Sequence, residues 1–171
     1  MYKSLFLVAV MGLLVAGSAS AGDMKMDSDM TPKNTELVKS FYNDVFNAHN
    51  VDAISQYCSV DFVDHNPDPG QQPGLDGLKA AFTSLFAAFP DLKVEVLKTV
   101  AEGDTVVAHI TLSGTQQGEY MGMPASGKAF NIGGMDMVTI KDGKATDRWG
   151  YVDAMSMMAQ LAPEKDDTMQ K

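Results

Sequence analysis

Along this chain the apolar residues first recur every three or four positions and then, beyond Pro90, at every second one. Leu37, Val38, Phe41, Val45 and Phe46 fall on one face of a helix at that spacing. Thr31-Pro32 opens it, with a hydroxyl at the N-cap and proline at the first helical position, and it ends near His49-Asn50. Asp52 caps a short second helix through Tyr57. Asp61 to His65 then reads as a brief extended segment, stopped by Asn66-Pro67 and Pro69-Gly70. A third helix, from about Asp76 to Phe89, carries Leu78, Phe82, Leu85, Phe86 and Phe89 on one side, and Pro90 terminates it.

After Pro90 the period is two. Leu92 to Val100, Thr105 to Gln116, Lys128 to Ile140 and Lys144 to Val152 alternate, divided by the turn signals Glu102-Gly103-Asp104 and Asp142-Gly143. A last amphipathic stretch, Met155 to Leu161, stops at Pro163. Helices followed by a long antiparallel meander predict an α+β fold with the helices on one face of a curved sheet. A bent sheet closed by helices leaves a pocket in its concave face.

The first 21 residues break this pattern. Lys3, the apolar run Leu5 to Val15 and the triplet Ala19-Ser20-Ala21 read as a secretory signal peptide cleaved after Ala21, with an apolar run shorter than the about 20 residues a membrane span needs. The expectation is a periplasmic or secreted protein without a membrane anchor in its mature form. Residues 22–31 are polar and read as a disordered leader, residues 32–161 as one domain, and residues 162–171 as a flexible tail.

Composition narrows the partners. The net charge is −9, one unit more negative once Lys3 is removed, which disfavours nucleic acid and anionic lipid. Cys58 is the only cysteine, so no intrachain disulfide forms. Met24, Met26 and Met30 are thioethers that suit soft metals, but no His or Cys accompanies them. His49, His65 and His109 stand on different elements without ligand spacing, so neither a metal nor another cofactor is expected.

The segments FYNDVFNAHNVDAISQY, DFVDHNP, GLDGLKAAFTSLFAAFPDLKVEV, GDTVVAHITLSGTQQGEYMGMPASGK and IKDGKATDRWGYVDAMSMMAQL, in that order and covering roughly residues 34 to 161, resemble the SnoaL-like polyketide cyclase or ester cyclase family of the nuclear transport factor 2-like superfamily. The resemblance implies a cystatin-like α+β barrel: a cone-shaped, mostly antiparallel sheet wrapped by N-terminal helices, with an open-ended apolar cavity. It also implies a homodimer through the outer sheet face. Members close rings by aldol chemistry on polyketide esters, while relatives isomerise, dehydrate or bind without reacting, so the fold alone does not choose.

The family's late W-x-x-x-D arrangement matches Trp149 to Asp153, which makes Asp153 the leading acid/base residue. One carboxylate in a dry pocket can take the proton alpha to a carbonyl and protonate the new alkoxide, and burial would raise its pKa. An Asp before a C-terminal helix is equally an ordinary N-cap. Trp149, Tyr151 and Asp153 share a strand face, as pocket wall or as core. His65 is either a general acid or a loop histidine bonded to the backbone. Asp136 alternates with Gly134, Val138 and Ile140, which favours inward placement and makes it the second acid/base candidate. His109 faces either the cavity or a dimer surface.

Tyr42, Phe62 and Met135 are candidates for an adaptable apolar lining. Where the family expects imidazoles, this chain has Asp136 near Thr139, and Gln116 after Gly114-Thr115. Two readings stand: an exported acid/base catalyst acting on a small apolar carbonyl compound, or a non-catalytic periplasmic binder of such a molecule. The Gly118 to Gly127 loop is either a lid at the cone's mouth or a plain hairpin connection.

Overall fold

In the computed structural model, residues 30–163 are described; the segments expected to be a signal peptide, most of a leader and the end of a tail lie outside them. Helix α1 spans Thr31–Phe41 and continues without a break into a π-helical segment, Tyr42–Asn47. It begins at Thr31, one residue before the expected start, so Thr31 lies inside the helix and is not its cap. The π turn, a wide and uncommon i→i+5 winding frequently found at functional sites, buries Tyr42, Val45 and Phe46 together.

Val51–Ala53 is a 3₁₀ turn leading into the short α2, Ile54–Tyr57. Its cap is Asn50, not the expected Asp52: His49 takes a positive φ of 52°, Asn50 is extended, and its Oδ1 accepts from Ala53 N at 3.3 Å. Strand β1 runs Cys58–Asp64, α3 runs Gly74–Ala88, and the strands β2 Lys93–Glu102, β3 Thr105–Thr115, β4 Ala129–Lys141 and β5 Lys144–Val152 follow, with α4 at Ala154–Leu161.

The sheet order is β1-β5-β4-β3-β2. β2 to β5 form the expected antiparallel meander, and Asp142-Gly143 joins β4 to β5 with positive φ at both residues, as a type I′ hairpin requires. The brief extended segment before Asn66 becomes an edge strand parallel to β5. Register shifts interrupt β1–β5, β2–β3 and β4–β5. Such bulges bend strands, and the five-stranded sheet curves.

The concave face carries Val94, Val106, Ala108, Ile110, Phe130, Ile132 and Ile140, all buried. The aromatic face of α1, the π turn and α3 packs on it, with the Phe46 and Phe82 rings 4.7 Å apart in an edge-to-face geometry favoured by ring quadrupoles. His49 stacks on Phe86 and its Nε2 lies 3.0 Å from the Leu92 carbonyl, which seals the start of β2 against the helices. Helix α4 closes one end of the cone by burying Met157 and Leu161.

Candidate active site

Two cavities lie between the helices and the concave face. The front one, about 140 Å³, is lined by Asp64, Asn66, Asp68, Gln71, Tyr120, Arg148, Gly150 and Val152 together with apolar side chains that include Leu85, Leu112, Phe130 and Met157. The back one, about 40 Å³, lies among Tyr42, Cys58, Phe62, Val138 and Asp136. Phe46, Leu78, Phe82 and Arg148 border both, so the guanidinium is part of the partition.

Arg148 is held on two sides. Its Nε donates to Asp136 Oδ1 at 3.0 Å and its Nη2 lies 2.8 Å from the same oxygen, while Nη1 donates to Asp64 Oδ2 at 3.1 Å. Tyr42 Oη donates to the other Asp136 oxygen, an alignment that the π turn supplies. Asp136 is 4 % exposed, and a buried carboxylate with three charge-assisted or phenolic donors is fully satisfied. Burial alone would lower the Arg148 guanidinium; the carboxylates of Asp136 and Asp64 outweigh it and hold the group above its usual range. Burial, with the Asp136 charge beside it, pushes the Tyr42 phenol well above its ordinary value.

At the cavity mouth Asp64 also accepts from Asn66 N at 3.1 Å and from Gln71 Nε2 at 3.4 Å. Asp68 belongs to an exposed loop, but its carboxyl end turns into the cavity. Partial burial raises its pKa, against the attraction of Arg148 and the nearby Tyr120 phenol. A carboxyl raised above its ordinary range at the mouth of a cavity is a candidate general acid or base. Burial also pushes the Cys58 thiol up to about 12, which keeps it protonated and unreactive.

The loop bearing Tyr120 is fixed at both ends. Gln117 N and Gly118 N donate to the Ala88 carbonyl at 2.8 and 3.1 Å, and Tyr120 packs against Phe89. Gln116, 1 % exposed, donates through Nε2 to the Met123 carbonyl at 3.2 Å. It pins the loop from beneath and, although a candidate pocket residue by its place after Gly114-Thr115, borders neither cavity.

Of the other residues singled out from the sequence, Asp136, Tyr42 and Phe62 border the back cavity. Trp149, Tyr151 and Asp153 do share a face, but it is the convex one. Period two dictates this once Arg148, Gly150 and Val152 line the interior. Tyr151 is 62 % and Met135 52 % exposed, and His109, Met135, Tyr151 and Asp153 border a shallow open depression outside the sheet.

Asp153 caps α4. Its carboxylate accepts from Ser156 N at 3.0 Å and from Ser156 Oγ at 2.6 Å. The Ser156 hydroxyl and amide hold it below the usual carboxylate range, so the burial that would have raised its pKa is absent. His65 stacks on Trp149 with centroids 4.1 Å apart, and its Nε2 lies 3.0 Å from Asp147 Oδ1, outside both cavities.

Arg148, Asp64, Asp68, Gln71 and Tyr120 were not selected from the sequence. A signal existed for Arg148, which has the strand parity of Val152 and so places a cation on the concave face. Among the described residues no group of three or more His, Cys, Asp or Glu is arranged to hold a metal ion, and no helix is long and apolar enough to cross a membrane.

A curved five-stranded sheet with helices over a partly apolar cavity that has an ion-paired cluster in its wall and polar side chains at its mouth defines an α+β cone of the nuclear transport factor 2-like class. Residues 36–161 match the family described as SnoaL-like polyketide cyclase, and the chain belongs to that family. It is 27% identical over 124 residues to the aklanonic acid methyl ester cyclase DnrD of Streptomyces peucetius, covering 69% of this chain and 83% of that protein. TsrD from Streptomyces laurentii superposes with a TM-score of 0.69 at 29% identity, covering 75% of this chain and 93% of that one. A SnoaL-like polyketide cyclase from Jannaschia sp. CCS1 superposes with a TM-score of 0.70 at 27% identity, covering 80% and 96%.

Proposed function

We propose that this protein is a cofactor-independent acid/base catalyst acting on a small, neutral, apolar carbonyl compound, with intramolecular aldol closure as the reaction. The observation that carries the reading is a guanidinium tied between Asp136 and Asp64 at the wall of the front cavity, with the raised-pKa carboxyl of Asp68 at its mouth. In this reading Asp68 takes the proton alpha to a carbonyl. The carbanion attacks a second carbonyl carbon, forming one C–C bond, and the new alkoxide recovers the proton from Asp68. Arg148 N–H groups outside the ion pairs stabilise the developing oxyanion.

Asp136 then acts as a positioning residue, through Arg148. His65 and Asp153 are assigned to the exterior, as a stacked partner of Trp149 and a helix cap. The front cavity is close to the roughly 150 Å³ that accommodates a benzene ring in an engineered core. One ring of a substrate enters, and the rest lies in the mouth between Asp68 and Tyr120.

The named relative acts on aklanonic acid methyl ester, which supplies the first test substrate. Incubation should convert it to an isomer of unchanged mass and different retention, with Asp68→Asn reducing the rate at least about a hundredfold and Asp153→Asn leaving it unchanged. Full turnover in Asp68→Asn would sink the assignment.

The second reading, a periplasmic carrier, is favoured by the complete engagement of Asp136 and by the signal-peptide pattern of residues 1–21. Native mass spectrometry of the purified protein separates the two, since a carrier retains one unchanged apolar molecule in both wild type and Asp68→Asn. We also propose export and homodimerisation. Protein recovered from the periplasm should have the intact mass of residues 22–171. The exposed convex-face residues Val100, Met135, Met137 and Tyr151 support a second copy of this chain as the occupant of that face.

A further inference from the structure

Across β4 and β5, Asp136 faces Gly150 and Val138 faces Arg148. The Asp136–Arg148 ion pair is therefore diagonal, and the guanidinium reaches its carboxylate only by lying along the strand over position 150. A Cβ at Gly150 would stand 2.1 Å from Arg148 Nη2, 2.3 Å from its Cζ and 2.6 Å from Asp136 Oδ1. Gly150 is not among the glycines with positive φ, so its backbone conformation does not require glycine. The guanidinium occupies the volume that a side chain at position 150 would fill.

We propose that Gly150 is the positioning and specificity-determining residue of the front cavity. By vacating its side-chain space it lets Arg148 be tied between Asp136 and Asp64. The cavity then presents a guanidinium edge whose charge is already matched, one that takes a neutral carbonyl and rejects a carboxylate. Because the guanidinium charge is already met by the carboxylates of Asp136 and Asp64, an entering carboxylate finds N–H donors but no unpaired cation to offset its desolvation. A side chain at position 150 lifts the guanidinium off Asp136 and turns it into the cavity as an unpaired cation, which attracts a carboxylate. The specificity half of this proposal rests on the neutral-carbonyl reading above; the positioning half does not.

The test compares wild type with G150A, R148M and the R148M/G150A double variant. The first readout is the Arg148 Nε–H signal in a ¹⁵N correlation spectrum, assigned by its loss in R148M. The second is the ratio of affinities for aklanonic acid methyl ester and the corresponding free acid. Wild type should show an exchange-protected Nε–H and prefer the ester by about tenfold or more. G150A should lose that protection and most of the preference.

In the R148M background a Cβ at position 150 meets only the Asp136 carboxylate, 2.6 Å away and no longer held by a guanidinium, so adding G150A to R148M should lower the unfolding temperature by clearly less than G150A lowers that of wild type, which keeps the comparison decisive even where G150A folds poorly. G150A with an intact Nε–H signal and an unchanged ester preference overturns the proposal, as does a thermal cost of G150A that is the same in the R148M background as in the wild type. If wild type binds neither compound, the neutral-carbonyl reading and the specificity half fail together. The Nε–H signal and the thermal comparison then decide the positioning half alone.

Discussion

At Asp136 three donors converge on one buried carboxylate, and the cost of removing any of them follows from what is left behind. Asp136→Ala leaves the Arg148 charge with Asp64 alone and the Tyr42 hydroxyl without its acceptor. Breaking a buried pair from one side costs about 3–5 kcal/mol, and denaturant unfolding should show a loss of that order. Tyr42→Phe removes one hydroxyl and should cost about 1–2 kcal/mol, with the far-UV spectrum unchanged.

Asp68 behaves in the opposite sense. Its folded-state pKa is raised, so its contribution to stability is full below the unfolded value of about 3.9 and is lost as pH rises through the raised one. Asp68→Asn should therefore gain stability relative to wild type as pH increases from about 3 to 7, measured as a widening gap between unfolding midpoints. Asp136 was legible as an inward carboxylate because alternation along β4 places it with Val138 and Ile140. Arg148 was not, because a cation between Asp147 and Trp149 reads as an ordinary solvated strand residue until the parity of Gly150 and Val152 is counted.

Among the elements, the alternating strands β2 to β5 and the third helix stood within about two residues of where periodicity put them. Pleat and core fix them together. The pairing of β1 with β5 was not legible, since a short extended segment carries no mark of its partner. Nor was the π turn, because Leu37, Val38, Phe41, Val45 and Phe46 fit an α-helical face equally well.

Element ends hold the acid sensitivity. The amide and hydroxyl of Thr115 hold Asp91 below its usual range, at 2.6 and 2.7 Å, and tie the end of β3 to the turn before β2. The His65 ring does the same for Asp147, as Ser156 does for Asp153. Depressed carboxylates contribute stability that is present above about pH 4 and lost as pH falls through their folded values. The thermal midpoint should thus fall steeply below about pH 4, and Asp91→Asn should flatten that fall.

Over the whole molecule the two faces of the sheet divide the work. The concave face holds the ion-paired cluster in a mostly apolar wall; the convex face exposes Met135, Met137, Val100 and Tyr151. If the proposed dimer forms through this face, wild type should sediment as a dimer in analytical ultracentrifugation, and a replacement such as Tyr151→Lys with Met135→Lys should leave the cavity intact and yield a monomer. A wild type that sediments as a monomer at high concentration would remove the second copy from the convex face.

The pairing of the first strand with the last has a kinetic side. Asp64 meets Arg148 across a sequence separation of 84 residues, and β1 has its sheet neighbour only in β5. Long-range closures are slow because chain entropy is lost before contacts repay it. The meander from β2 to β5 can form from neighbouring hairpins, whereas β1 waits for the other end of the domain. Pulsed hydrogen exchange during refolding should find the β1 amides protected in the slowest phase. The polar centre of the cavity should therefore be the last part of the domain to assemble, and a nascent chain that lacks β5 should carry an open polar edge where the finished fold sets Asp64 beside Arg148.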